Sequence, residues 1–126
     1  MQSNNHGVGF GMIKFFMGCL DSHKNYVLRY SRTDDILFHL TVSKLQFTCG
    51  QIAQSAMIDV ALAGSYILSE AEVIEFHKDF PTAKIIVLGG NWCKYTVEAG
   101  VVANQLGLKI MLLKEFLTAV YSKSLV

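Results

Sequence analysis

Apolar and polar residues alternate with period two over three stretches in the first third of the chain. Ile13, Phe15, Met17 and Cys19 alternate with Lys14, Phe16 and Gly18; Tyr26, Leu28 and Tyr30 alternate with Val27 and Arg29; Ile36, Phe38, Leu40 and Val42 alternate with Leu37, His39, Thr41 and Ser43. Such alternation marks a strand with one face on a core. The polar clusters Asp21–Asn25 and Arg32–Asp35 between the stretches supply turn residues. The pattern therefore predicts an antiparallel meander over 12–20, 26–31 and 36–43. Its phase changes after Ser43, where Leu45 and Phe47 take over, which predicts a bulge or strand end at Ser43–Lys44.

The period then lengthens. Thr48-Cys-Gly-Gln51 has the form of a capping box, and Ile52, Ala53, Ala56, Met57, Val60 and Ala61 recur at helical spacing before Gly64. Alanine favours helix over strand, so a helix is expected from about Cys49. Ser69-Glu-Ala-Glu72 is a second capping box, opening a helix with Val73, Ile74, His77 and Phe80 on one side and closed by Pro81. Ile85–Leu88 and Ile110–Leu113 are bare apolar runs of strand length, separated by a helical segment that ends at Gly107, where glycine suits a positive φ. Continuous apolar strands need cover on both faces, and a helix between two of them makes a βαβ crossover. A terminal helix from about Lys114 buries Phe116, Leu117, Val120 and Tyr121. The expected fold is α+β or α/β. An N-terminal antiparallel three-stranded meander followed by ααβαβα forms one mixed sheet of about five strands with flanking helices. Residues 1–11 read as a polar, glycine-rich leader and 12–126 as a single α/β domain.

Composition narrows the functional classes. The chain of 126 residues is 52% hydrophobic and 17% charged, apolar for its size, which predicts that surface is covered by self-association, a dimer first of all. No apolar run is long enough to span a membrane, and the first residues lack the pattern of a secretory signal. The net charge is +1 and the basic residues are scattered, so nothing supports nucleic-acid binding. Cys19, Cys49 and Cys93 are odd in number and widely spaced, which argues against a disulfide framework and for the cytoplasm. No cysteine or histidine spacing marks a metal site, and no cofactor is implied. Gly7, Gly9 and Gly11 precede a predicted strand instead of following one, which is the wrong context for a phosphate loop.

The best candidate site is Gly89-Gly90-Asn91-Trp92-Cys93-Lys94-Tyr95-Thr96, where a parallel strand hands over to a helix. Open α/β sheets bind ligands at that edge, because the helix presents unpaired N–H groups and partial positive charge. Gly89 and Gly90 would let a ligand approach the backbone, Asn91 and Thr96 offer polar contacts, Trp92 and Tyr95 could stack on a ring, and Lys94 could pair with an anion. The alternative is a turn whose tryptophan plugs the core. Cys93, near a helix start, is the cysteine expected to have a lowered pKa. His39 shares the polar strand face of Thr41 and Ser43, and His77 lies on the apolar side of its helix. Either imidazole could serve catalysis or sit hydrogen-bonded at a core margin.

Three local resemblances add enzymatic and binding alternatives. Thr96-Val-Glu-Ala-Gly-Val-Val-Ala103 with Leu106-Gly107 resembles a segment of nucleoside 2-deoxyribosyltransferase-like proteins, which implies Glu98 as a nucleophile on an N-glycosidic bond. That family opens with a strand leading straight into a helix, unlike the meander expected here. Ile58-Asp-Val with Tyr66-Ile-Leu-Ser-Glu-Ala-Glu72 is similar to the tail of restriction-endonuclease-like domains, which implies Asp59, Glu70 and Glu72 around a magnesium ion. Glu72 stands where that family has lysine, and capping accounts for the same residues. The closing helix and Leu108-Lys-Ile-Met-Leu-Leu113 resemble the end of a BRCT domain, a cadence common to βαβα units. Sequence thus leaves a ligand-binding homo-oligomer as the leading expectation, with a Glu98-dependent nucleotide-processing enzyme or a pocket-free interaction module as alternatives.

Overall fold

A computed structural model describes residues 8–22, 28–45, 52–90 and 93–121. Helix α1 (Phe10–Ser22) comes first. It leads to strands β1 (Leu28–Thr33), β2 (Leu37–Leu45) and β3 (Ile52–Ala63), the short β4 (Ile67–Leu68) and α2 (Glu70–Asp79). The second half runs β5 (Ala83–Leu88), β6 (Lys94–Tyr95), α3 (Val97–Gln105), β7 (Lys109–Leu112) and α4 (Leu113–Tyr121). Five strands form one sheet in the order β1-β2-β3-β5-β7, and β4 pairs with β6 in a ribbon of its own. The pairs β1–β2 and β2–β3 are antiparallel, whereas β3–β5 and β5–β7 are parallel. The expected mixed five-stranded sheet with an N-terminal meander is therefore present.

Two elements inside that plan exchange identity. The segment read as the first strand, 12–20, is helix α1, with Ile13, Phe16 and Leu20 buried and Phe15 60% exposed. Apart from Lys14 and Gly18 every residue from 12 to 20 is apolar, so periods of 2 and 3.6 fit equally well locally. Contact with the sheet decides: the Phe16 ring stands edge-on to Phe38, 4.8 Å between centroids, and 5.7 Å from Phe116 of α4. Conversely, the alanine-rich segment read as a helix is β3, the strand through which the antiparallel and parallel halves join. Alanine's helical propensity is overridden by position: Ala61 and Ala63 are fully buried in a central strand. The meander is consequently β1-β2-β3, one strand later than expected. The residues of the first supposed capping box, 48–51, lie outside the described residues.

Other local expectations hold. Ser69 caps α2 through Glu72 N–H while the Glu72 carboxylate accepts from Ser69 N–H, a complete capping box. Gly107 carries a φ of 76° after α3, and the β2–β3 register shifts between Lys44 and Leu45. The β1–β2 turn places Asp34 and Asp35 at φ of 50° and 61°, left-handed backbone that glycine would adopt with less strain.

Register sorts the side chains onto two faces. Tyr30, Phe38, Leu40, Val60, Leu62, Ile85 and Val87 share one; there α1 docks through Phe16 and α4 through Phe116. Ala61, Ala63, Ile86, Leu88 and Ile110 share the other, where α3 packs beside α2. Successive crossovers stepping the same way from β3 to β5 to β7 put both connecting helices on one face. They cover the parallel half only. On the antiparallel half the same face, with Arg29, Ser31, His39, Thr41, Met57 and Asp59, stays open among the described residues.

Candidate functional site

The strand-to-helix rim contains the residues singled out by sequence, and the structure gives most of them structural partners. Gly89 donates its N–H to the Ala63 carbonyl at 3.0 Å. A Cβ on Gly89 would come within 2.5 Å of Met12 Sδ and 2.9 Å of Met12 Cγ, so its bare side faces α1. The Gly90 carbonyl accepts from the Cys93 N–H at 3.2 Å, and Cys93 is buried. Asn91 and Trp92 lie outside the described residues. Thr96 caps α3: its Oγ1 accepts from Ala99 N–H at 3.0 Å. Lys94 and Tyr95 form β6, parallel to Ile67 and Leu68, and both side chains are exposed. The Tyr95 ring passes over Gly100, where an added Cβ would already touch it at 3.5 Å. Glu98 is exposed in the first turn of α3 and does not line the depression formed by Tyr95, Gly100, Ala103, Asn104 and Ile110.

The resemblance-derived metal ligands do not converge. Asp59 stands opposite Ala83 at the start of β5, whereas Glu70 and Glu72 begin α2, beyond the other end of β3. Glu72 is further engaged by the hydroxyls of Ser65 and Ser69. Among the described residues no three His, Cys, Asp or Glu side chains gather where they could hold a metal ion. His77 is half-buried in the last turn of α2, its Nδ1 buried without a hydrogen-bond partner among the described residues.

The most organised polar constellation lies on the open half of the sheet. His39 of β2 and Asp59 of β3 are cross-strand partners, and His39 Nδ1 is 2.8 Å from Asp59 Oδ1. On the other side of the ring, Nε2 is 3.0 Å from Thr33 Oγ1 at the end of β1. Thr82, between α2 and β5, donates its hydroxyl to Asp59 Oδ2 at 2.5 Å. Burial works against ionisation of Asp59. The hydrogen bonds from Thr82 and His39, with the charge an imidazolium would carry, outweigh it and hold the carboxyl below its usual range. An ionised carboxylate only accepts, so Nδ1 carries a proton; in the neutral form of the ring, Nε2 is then the acceptor for the Thr33 hydroxyl. The chain reads hydroxyl, imidazole, carboxylate, with the carboxylate braced by a second hydroxyl. Beside it a shallow depression of about 270 Å³ is lined by Arg29, Ser31, Thr41 and Met57, the last 83% exposed.

The sequence pattern puts His39 on this polar face but not its partners. Thr33 sits in a turn cluster, and Asp59 falls inside a supposed helix. Reading 52–63 as a strand in antiparallel register with β2 is the signal that brings Asp59 opposite His39. Nothing local announces Thr82, which arrives after a helix.

No family model, curated protein or solved structure matches this chain. The fold and its two surfaces define a small mixed α/β domain. No helix among the described residues is long and apolar enough to cross a membrane.

Proposed function

We propose that this chain is a binding domain that works at the C-terminal rim of its parallel strands, over residues 89–96, and that it does so as a homodimer. The observation that carries the reading is the setting of Lys94: Tyr66, Ile67, Tyr95 and Val97, on or next to the β4–β6 ribbon, are all 45% exposed or more. Exposed aromatic rings and a cation carried by one short ribbon, beside the N-terminus of α3, suit a small ring-bearing anion, whose ring stacks while its charge meets Lys94 and the helix dipole. The dimer rests on the outer side of α3. Val97 and Val101 stand 80% and 51% exposed one turn apart, and Glu98 is the only charged residue of that helix. Two exposed valines one turn apart on the outer side of a helix are apolar surface that a partner would cover.

Calorimetric titration with a panel of nucleotides and aromatic carboxylates, combined with light scattering, tests both parts. We expect Lys94→Ala and Tyr95→Ala each to weaken binding by about 10-fold, roughly the loss of one charge-assisted or stacking contact. Val97→Asp should convert a dimer into a monomer. A wild-type chain that scatters as a monomer and binds nothing in the panel would end this reading.

A further inference from the structure

The open sheet face carries an arrangement that the rim does not need, and it points to chemistry instead of association. We propose that Thr33, His39 and Asp59 form a hydroxyl–imidazole–carboxylate relay that hydrolyses small esters, with Arg29 selecting substrates whose acyl group carries an anion. The geometry fits the roles: nucleophile to base is 3.0 Å, base to orienting carboxylate is 2.8 Å, and the order of atoms runs Oγ1, Nε2, Nδ1, Oδ1. A pairing that served only to clamp strands would need His39 and Asp59 alone. Here the second ring nitrogen is aimed at a hydroxyl, the far carboxylate oxygen is braced by Thr82, and His39 and Asp59 keep 35% and 22% of their side-chain surface exposed among the described residues. Thr33 is exposed at the last position of β1, directly before the turn that carries the two left-handed aspartates.

The reaction closes on these groups. Thr33 Oγ1 attacks the ester carbonyl carbon as its proton passes to His39 Nε2. The tetrahedral adduct collapses, the bond to the alkoxide breaks, and the imidazolium returns the proton to the departing alcohol. Water then attacks the Thr33 ester, giving its proton to Nε2. The bond to Oγ1 breaks, Thr33 regains the proton, and the carboxylic acid leaves. Asp59 keeps the ring oriented and stabilises its charge throughout. Ser31 lies opposite His39 in register, and Arg29 lies two residues further along, opposite Thr41 on the same face. Arg29 is about 13 Å from Thr33 along the strand, less the reach of its own side chain, which suits an acyl chain of a few carbons ending in carboxylate or phosphate.

The test uses the full chain with p-nitrophenyl butyrate and the mono-p-nitrophenyl ester of succinate. Intact mass spectrometry should detect one added acyl group, mapped to Thr33, and the charged ester should turn over faster than the neutral one. Thr33→Val keeps the branched shape at an exposed position and should remove the adduct and slow turnover by at least about 100-fold, whereas Thr33→Ser should retain both. Arg29→Ala should erase the preference for the anionic ester. Equal rates in wild type and Thr33→Val, with no adduct at Thr33, would overturn the relay. A wild-type preference for the neutral ester would overturn the role of Arg29.

Discussion

Replacing Phe16 with alanine will lower the stability of the domain by about 3–5 kcal/mol, while the neighbouring Phe15→Ala will change it by less than about 0.5 kcal/mol. Phe16 is 1% exposed and wedged between Phe38 of the sheet and Phe116 of α4, so its removal opens a cavity where three elements meet. Phe15 points outward at 60% exposure. The comparison separates the two periodicities that the sequence permits. A strand over 12–20 would bury Phe15 with Ile13 and Met17 and turn Phe16 outward, reversing the order of the two costs. Urea unfolding of both variants, followed by circular dichroism, distinguishes the cases.

Gly89→Ala is expected to cost about 1–3 kcal/mol, the range for forcing a methyl group into a packed site. The added carbon meets Met12 Sδ at 2.5 Å and Met12 Cγ at 2.9 Å. The thioether end can swing aside, but Cγ lies close to the α1 backbone, so part of the clash must move the helix. Met12→Ala removes the obstruction, and the double variant should therefore be more stable than the sum of the two single losses by about 0.5 kcal/mol or more. Strict additivity in a denaturant double-mutant cycle would show that α1 does not back the rim. The glycine thus answers to a helix from the other end of the chain.

That contrast shows what the sequence could convey. Wherever the decisive interaction lies within a few residues, it is legible: the Ser69–Glu72 box, the positive φ at Gly107 and the break at Lys44–Leu45 are all local chemistry. The parallel pairing of β5 with β7 follows from two apolar runs joined by a helix. Where the decision is made across the fold, local pattern misleads. Residues 12–20 become helical because Phe16 finds Phe38 and Phe116, and the alanines of β3 become strand because a central position accepts small side chains. The second of these exchanges hides the open-face cluster, since Asp59 meets His39 only once β3 is a strand.

β2 and β3 pair so as to hold the His39 ring between Asp59 and Thr33. Two-bond ¹H–¹⁵N correlation of the imidazole tests it most directly, because the pattern reports which nitrogen carries the proton. The neutral ring should be locked as the Nδ1–H tautomer, and Asp59→Asn should release that preference. A ring in the Nε2–H form, or one exchanging between tautomers as free imidazole does, would contradict the pairing and the relay built on it.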